Sequence, residues 1–241
     1  MDRPGQDSSR YSWFFRIFGK PREVVQPTPV PIRPTKPKEP VNKPVEKPIG
    51  GSFKTTFSRN NRVMLSQLRE ARKYRSIIND VSRRYRVKPS LICGMGSRES
   101  HWGMALKPRG PGGRGDFARR RPRGKRRGVE PPDGGGYGRG LMQIDYDWHE
   151  FARTGDWHDP RENIIYACVV LDRARKFFSK RASGLSEKQK LRAMIAAYNG
   201  GATATLRSIK AGDNVDARTT GHDYSKDVLD RSGWFQLHGW D

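Results

Sequence analysis

Two cysteines in 241 residues, Cys93 and Cys168, are too few for a disulfide framework. Both sit in apolar stretches, LICGM and YACVVL, and are expected to be buried free thiols. No apolar run approaches the length of a membrane-spanning helix. The opening stretch MDRPGQDSSRYSWFFRIFGK has its apolar residues broken by Arg16 and lacks a small-residue cleavage site, so no secretory signal is recognisable. Alternation with period two never persists beyond a few residues, which excludes a large half-exposed sheet. Acidic residues are the other deficit: 25 Asp and Glu face 48 Lys and Arg, a net charge of +23. That imbalance implies polyanionic partners, whether nucleic acid, anionic membrane or acidic cell-wall polymer. His101, His158 and His222 show no metal-ligand spacing, so neither metal nor cofactor is expected. No Ser or Cys has a base partner in a recognisable motif, which leaves nucleophilic catalysis unsupported.

What is present divides into a tail and a domain. Residues 1–52 include PTPVPIRPTKPKEPVNKPVEKPIGG, with a proline every two to four positions among Lys and Glu. Such a segment lacks backbone donors and apolar mass, and it is expected to be a disordered, polyproline-II-like linker. Residues 53–241 are expected to form one mainly α domain with at most a small β-ribbon between Gly136 and Asp145. VMLSQLREARKYRSIINDVSRRY reads as one amphipathic helix, with Leu65, Leu68, Tyr74, Ile77, Ile78 and Val81 on or near one face. NIIYACVVLDRARKFFSK is a strongly apolar helix opened by Asp159 as cap and Pro160 just inside. KQKLRAMIAAYNGG is another, stopped by Gly200 and Gly201, and a last helix spans HDYSKDVLDRSGWFQL. Between the second and third helices lies a basic Gly/Arg-rich insertion at about residues 107–136. Residues 107–140 hold eleven Lys and Arg against three Asp and Glu, enough for non-specific contact with an anionic polymer or membrane.

The helix PSLICGMGSRESHWGM carries the most informative carboxylate. Pro89 suits a first helical position, and steps of three and four place Ile92, Met95, Glu99 and Trp102 on one stripe, with Arg98 on the neighbouring face. A carboxylate among apolar residues is costly unless paired, protonated or used. For Glu99 alone the alternatives are a core-rim residue bridged to an arginine, or a functional acid.

Three further segments bear on that choice. SRES at 97–100, GLMQID at 140–145 and AAYNGG at 196–201, followed by TTGHDYSKDV near the end, stand in register on these elements. Together they resemble the goose-type lysozymes, which are related to the soluble lytic transglycosylases, over roughly residues 57–241. The resemblance implies a helical lysozyme-like fold and cleavage of the β-1,4 bond between N-acetylmuramic acid and N-acetylglucosamine in bacterial peptidoglycan. It implies Glu99, the Glu of SRES, as general acid, and an apolar pocket would keep such a carboxyl protonated. It also implies Asp145 as a water-positioning carboxylate of an inverting hydrolase. A second family Asp stands about eleven residues earlier; here Asp133 is twelve earlier, so the match needs a one-residue slip within GGG, and Asp116 is a rival. Gln143 is expected either to hydrogen-bond the glycan or to satisfy buried backbone, Tyr198 matches the family's active-site tyrosine, and Tyr224 matches another position lining the family's cleft. Asn199 is expected to line the cleft beside them or to cap its helix end.

Two alternatives keep the fold but change the chemistry. A lytic transglycosylase lacks the water-holding aspartates and yields 1,6-anhydro products, whereas a cationic wall-binding antimicrobial protein would need no catalysis. Nucleic-acid binding through residues 107–140 is a third, though that stretch has little aromatic residue content to stack bases. The resemblance further implies action on an extracellular wall, by a chain expected to be monomeric.

Overall fold

The computed structural model describes residues 51–116 and 131–241; expectations for the tail before residue 51, and for residues 117–130 of the insertion, lie outside the described residues. The domain is mainly helical, as expected, and is arranged around one buried helix.

The first helical segment is two helices, not one. Helix α1 spans Arg62–Arg72, opened by Asn61, whose side chain accepts from the Met64 amide at 3.0 Å. Helix α2 spans Arg75–Tyr85. Between them the amides of Lys73 and Tyr74 reach back only three residues, to Glu70 and Ala71, and Tyr74 leaves helical geometry at φ −106°, ψ 14°. The break lets the Tyr74 ring stack on Trp102, with centroids 5.8 Å apart. It also lets α2 face helix α5 (Pro160–Arg181) as well as the central helix. Tertiary packing overrides a continuous helical pattern here.

Helix α3, Pro89–Ser100, is that central helix: every residue from Ser90 to Ser97 is buried. Trp102, expected on its stripe, lies beyond its end. His101 and Trp102 both take left-handed backbone, φ 52° and 57°, and the chain folds back so that the Trp102 amide donates to Gly96 O at 3.0 Å. The indole N–H then donates to Cys93 O at 3.1 Å. Cys93 and Cys168 are buried free thiols, and burial pushes both up, Cys168 to about 12.

After the short helix α4 (Phe151–Thr154) comes α5, whose cap Asp159 accepts from Glu162 N at 2.8 Å. Helix α6, Glu187–Gly200, is opened by a reciprocal capping box of Ser186 and Gln189. The expected stop at Gly200–Gly201 is a corner: Gly201, at φ 81°, leads directly into helix α7, Ala202–Lys210. The final helix begins two residues later than expected. A single 3-10 turn, Thr220–His222, precedes helix α8, Tyr224–Gln236.

Three two-residue strands form the only sheet among the described residues: β1 Arg114–Gly115, β2 Gly138–Arg139 and β3 Ile144–Asp145, antiparallel in that order. The β2–β3 hairpin is the expected ribbon; β1, from the insertion, is an addition to it. Arg114 pairs with Arg139, and Gly138 pairs with Asp145. Among the described residues no helix is long and apolar enough to cross a membrane.

Helix α8 packs against α3 across Gly94. A Cβ there would lie 2.3 Å from Ser232 Oγ and 2.7 Å from the Val228 carbonyl oxygen. Gly94→Ala should therefore destabilise the domain by about 1–3 kcal/mol through forced separation of the two helices. Gly184→Ala, where no atom lies within 4 Å, should not. Urea unfolding of the two variants checks this.

Candidate active site

Each residue of the SRES segment has a different neighbour. Ser97 Oγ donates to Gln67 Oε1 at 2.5 Å and accepts from Arg231 Nη1 at 2.9 Å. Arg98 bridges Asp223 and Asp227, each at 3.1 Å. Ser100 Oγ donates to the Leu141 carbonyl at 2.6 Å, joining the end of α3 to the β2–β3 turn. Glu99, turned towards α8, accepts a hydrogen bond on Oε1 from the Tyr224 hydroxyl.

Tyr224 is held from three sides. Asp216, buried, accepts from the Ser225 amide at 2.8 Å, Ser225 Oγ at 2.7 Å and Arg192 Nη2 at 2.9 Å, which anchors the start of α8 to α6. The Arg98 guanidinium carbon lies 5.9 Å from the Tyr224 ring centroid. The Tyr198 ring runs nearly parallel to it at 6.5 Å and 9°. Tyr198 in turn donates its hydroxyl to Met142 O at 2.7 Å. Two links, Ser100–Leu141 and Tyr198–Met142, thus connect the Glu99 neighbourhood to the hairpin.

The electrostatics follow from this packing. Burial raises the Glu99 carboxyl from about 4.5 to about 7, opposed by the Tyr224 hydrogen bond and by the positive charge of Arg98. The residue is not fully sealed and keeps some exposure. Burial, with Glu99 close by, pushes the Tyr198 and Tyr224 hydroxyls well above the usual tyrosine range, so both stay donors at any working pH.

The hairpin places the other expected residues. Gln143, at φ 46°, folds its carboxamide onto its own turn, donating to Gly140 O at 2.9 Å. It lies over Gly115 and Gly138, where a Cβ would come within 2.2 Å of its Oε1. Asp145, on β3, accepts from the Asp147 amide at 2.8 Å. Asp133 accepts from Arg139 Nη2 at 2.8 Å and from the Gly135 amide at 3.0 Å, and Arg139 is the first cause of its carboxyl lying below the ordinary range. Asp116 is exposed, and its carbonyl accepts from the Tyr137 amide at 3.0 Å. Asn199 does not cap α6: its Oδ1 accepts from the Thr220 amide at 2.8 Å, which ties α6 to the turn before α8.

One organising residue was not anticipated from the sequence. Asn163 of α5, buried, accepts from the Met142 amide at 2.8 Å and donates to Arg139 O at 3.2 Å, clamping both sides of the hairpin. A signal existed. Asn163 shares the buried stripe of Ala167, Leu171, Ala174 and Phe178, the same polar-on-apolar anomaly that singled out Glu99.

A helical domain that holds a half-buried carboxyl raised to about 7, with Ser100 and Tyr198 tying its surroundings to the hairpin that bears Asp145, is compatible with a glycoside hydrolase. Residues 123–239 match the family described as Lysozyme g. The chain is 30% identical over 173 residues to lysozyme G of Dromaius novaehollandiae, covering 72% of this chain and 71% of that protein. It is 31% identical to lysozyme g of Cyprinus carpio, covering 72% and 78% of the two chains. It is 34% identical to lysozyme g of Epinephelus coioides, covering 68% and 75%. The chain belongs to the goose-type lysozyme family, and with it to the glycoside hydrolases.

The Glu99 environment has a consequence for stability. Its folded carboxyl titrates near 7, above an unfolded value near 4.5. No penalty exists below pH 4.5; it grows as pH rises and is complete above about 7, reaching roughly 3 kcal/mol at about 1.4 kcal/mol per tenfold in acidity. Glu99→Gln should therefore melt higher than wild type at pH 8 and alike at pH 4, as calorimetry would read. Tyr224→Phe removes a donor to the ionised form, so it should move the alkaline limb of the pH–rate profile upward while lowering the rate.

Proposed function

We propose that the protein is a peptidoglycan muramidase that hydrolyses the β-1,4 bond between N-acetylmuramic acid and N-acetylglucosamine with inversion. One observation carries the reading: Glu99 is half-buried on α3 and bonded by Tyr224, in surroundings that raise its carboxyl to about 7. A carboxyl in that state delivers its proton to the glycosidic oxygen as the bond from the anomeric carbon breaks. Water adds to that carbon from the opposite face, positioned by Asp145 of the hairpin with Asp133, which is bonded to the hairpin through Arg139, and loses a proton to one of the two. Proton exchange with solvent then resets both groups.

Gln143, Tyr198, Asn199 and Tyr224 line or brace the region where the sugar would lie. Tyr224 and Tyr198 position the acid, and Gln143 shapes the glycine-rich floor. The net charge of +23 suits a polyanionic wall as substrate, reached outside the cell. A transglycosylase reading, in which the muramic 6-hydroxyl attacks in place of water, has less support because two carboxylates are tethered to the hairpin.

Mass spectrometry of purified peptidoglycan digested by wild type and by Glu99→Gln tests the proposal. The expected products are reducing-end muropeptides, formed by Glu99→Gln about 10²–10⁴ times more slowly. Anhydro-muropeptides would reassign the reaction to transglycosylation. An undiminished rate for Glu99→Gln would remove that residue from the mechanism.

A further inference from the structure

Arg139 is an anomaly in this domain. Its side chain is wholly buried in β2, yet among the described residues its Nε and Nη1 have no hydrogen-bond partner. The Tyr146 and Trp157 rings flank the guanidinium, with centroids 4.9 and 5.2 Å from its carbon. Gly135 is required beside it, since a Cβ there would lie 2.0 Å from Nη1. Its carboxylate neighbour is Asp133, through Nη2 to Oδ1 at 2.8 Å. A guanidinium cannot shed its proton, and a buried one that is only partly satisfied is expensive; an apolar residue between two rings would stabilise the fold more.

The geometry at Asp133 gives the charge a use. Oδ1 receives both the Arg139 and the Gly135 hydrogen bonds, while the Asp133 carbonyl accepts from Arg114 Nη1 at 3.3 Å. The carboxylate is therefore oriented by one oxygen, and its side chain remains 49% exposed. Among the described residues Oδ2 has no hydrogen-bond partner.

We infer that Arg139 is a positioning residue for hydrolysis: it clamps Asp133 by Oδ1 so that Oδ2 is presented to the attacking water and takes its proton. This rests on the proposed hydrolytic reading and selects Asp133 as the base. The water oxygen bonds to the anomeric carbon and its proton passes to Oδ2. The glycosidic bond breaks, and the leaving oxygen takes the Glu99 proton. Among the described residues the charged groups facing Asp133 are Arg114 from β1 and Arg139 from β2, and both favour its ionised form. Base and acid are thus held on opposite sides of the working pH by opposite means.

The test is a double-mutant cycle of Arg139→Met and Asp133→Asn, reading kcat, KM and the pH–rate profile on soluble peptidoglycan fragments, below the lowest melting temperature of the set. Arg139→Met alone should lower kcat between roughly tenfold and 10²-fold with KM little changed. It should also move the acidic limb upward, and Arg139→Lys should restore part of both effects. In the Asp133→Asn background, Arg139→Met should change kcat hardly at all, because the group it positions is gone. Equal losses in both backgrounds, or an unmoved acidic limb, would overturn the inference. So would a full rate for Asp133→Asn, while Glu99 would remain the acid. Failure of the hydrolytic reading is read separately, from Glu99→Gln.

Discussion

The close approach of α8 to α3 across Gly94 is the contact on which the site depends. Where a side chain would meet Ser232 and the Val228 carbonyl, its absence lets two backbones pack directly. That proximity carries Tyr224, the first residue of α8, over Glu99, near the last of α3. It also brings Asp223 and Asp227 to Arg98, and Arg231 to Ser97, so four charged side chains lock the two helices beside the acid. The ion pairs are half-screened by solvent and contribute modestly to stability. They also tie the face of α3 that carries Arg98 and Ser97 to α8 and the residue before it.

The two carboxyls proposed as acid and base are tuned by different physics. Glu99 is raised by exclusion of water, with a tyrosine donor and a nearby arginine only moderating the effect. Asp133 is lowered by direct bonding to a guanidinium and an amide, at the surface. Burial favours the neutral acid and pairing favours the anion, the two protonation states that the proposed hydrolysis asks of them. Asn163, Ser100 and Tyr198 all grip the same short turn at Met142 and Leu141, which ties α5, α3 and α6 to the hairpin.

Much of this was legible in the sequence, where the signal was local. Pro89, Asp159 with Pro160, and the run around Glu99 marked helix starts that the structure keeps. The anomaly of a carboxylate among apolar residues pointed to the one group whose burial matters most. What could not be read was decided at a distance. The break at Lys73–Tyr74 exists because Tyr74 packs on Trp102, which a continuous amphipathic pattern does not reveal. Strand β1 forms only because Arg114 and Gly115 find β2 across the insertion. Asn199 resembled a helix cap because capping is a local habit of Asn, but its bond goes to Thr220, twenty-one residues on. Arg139, between two glycines, looked like part of a charged loop, and only the folded chain shows it sealed between rings.

The account stands on Glu99 holding its proton well above the range where ordinary carboxyls titrate. Carbon-13 NMR of protein labelled at the Glu side-chain carboxyls, with Glu99 assigned by its absence in Glu99→Gln, measures this directly. A midpoint near 7 is expected, with the signal moving only as the pH passes out of the range where ordinary carboxyls titrate. A midpoint near 4.5 would mean that water reaches the carboxyl freely, and would contradict the assignment of Glu99 as the proton donor.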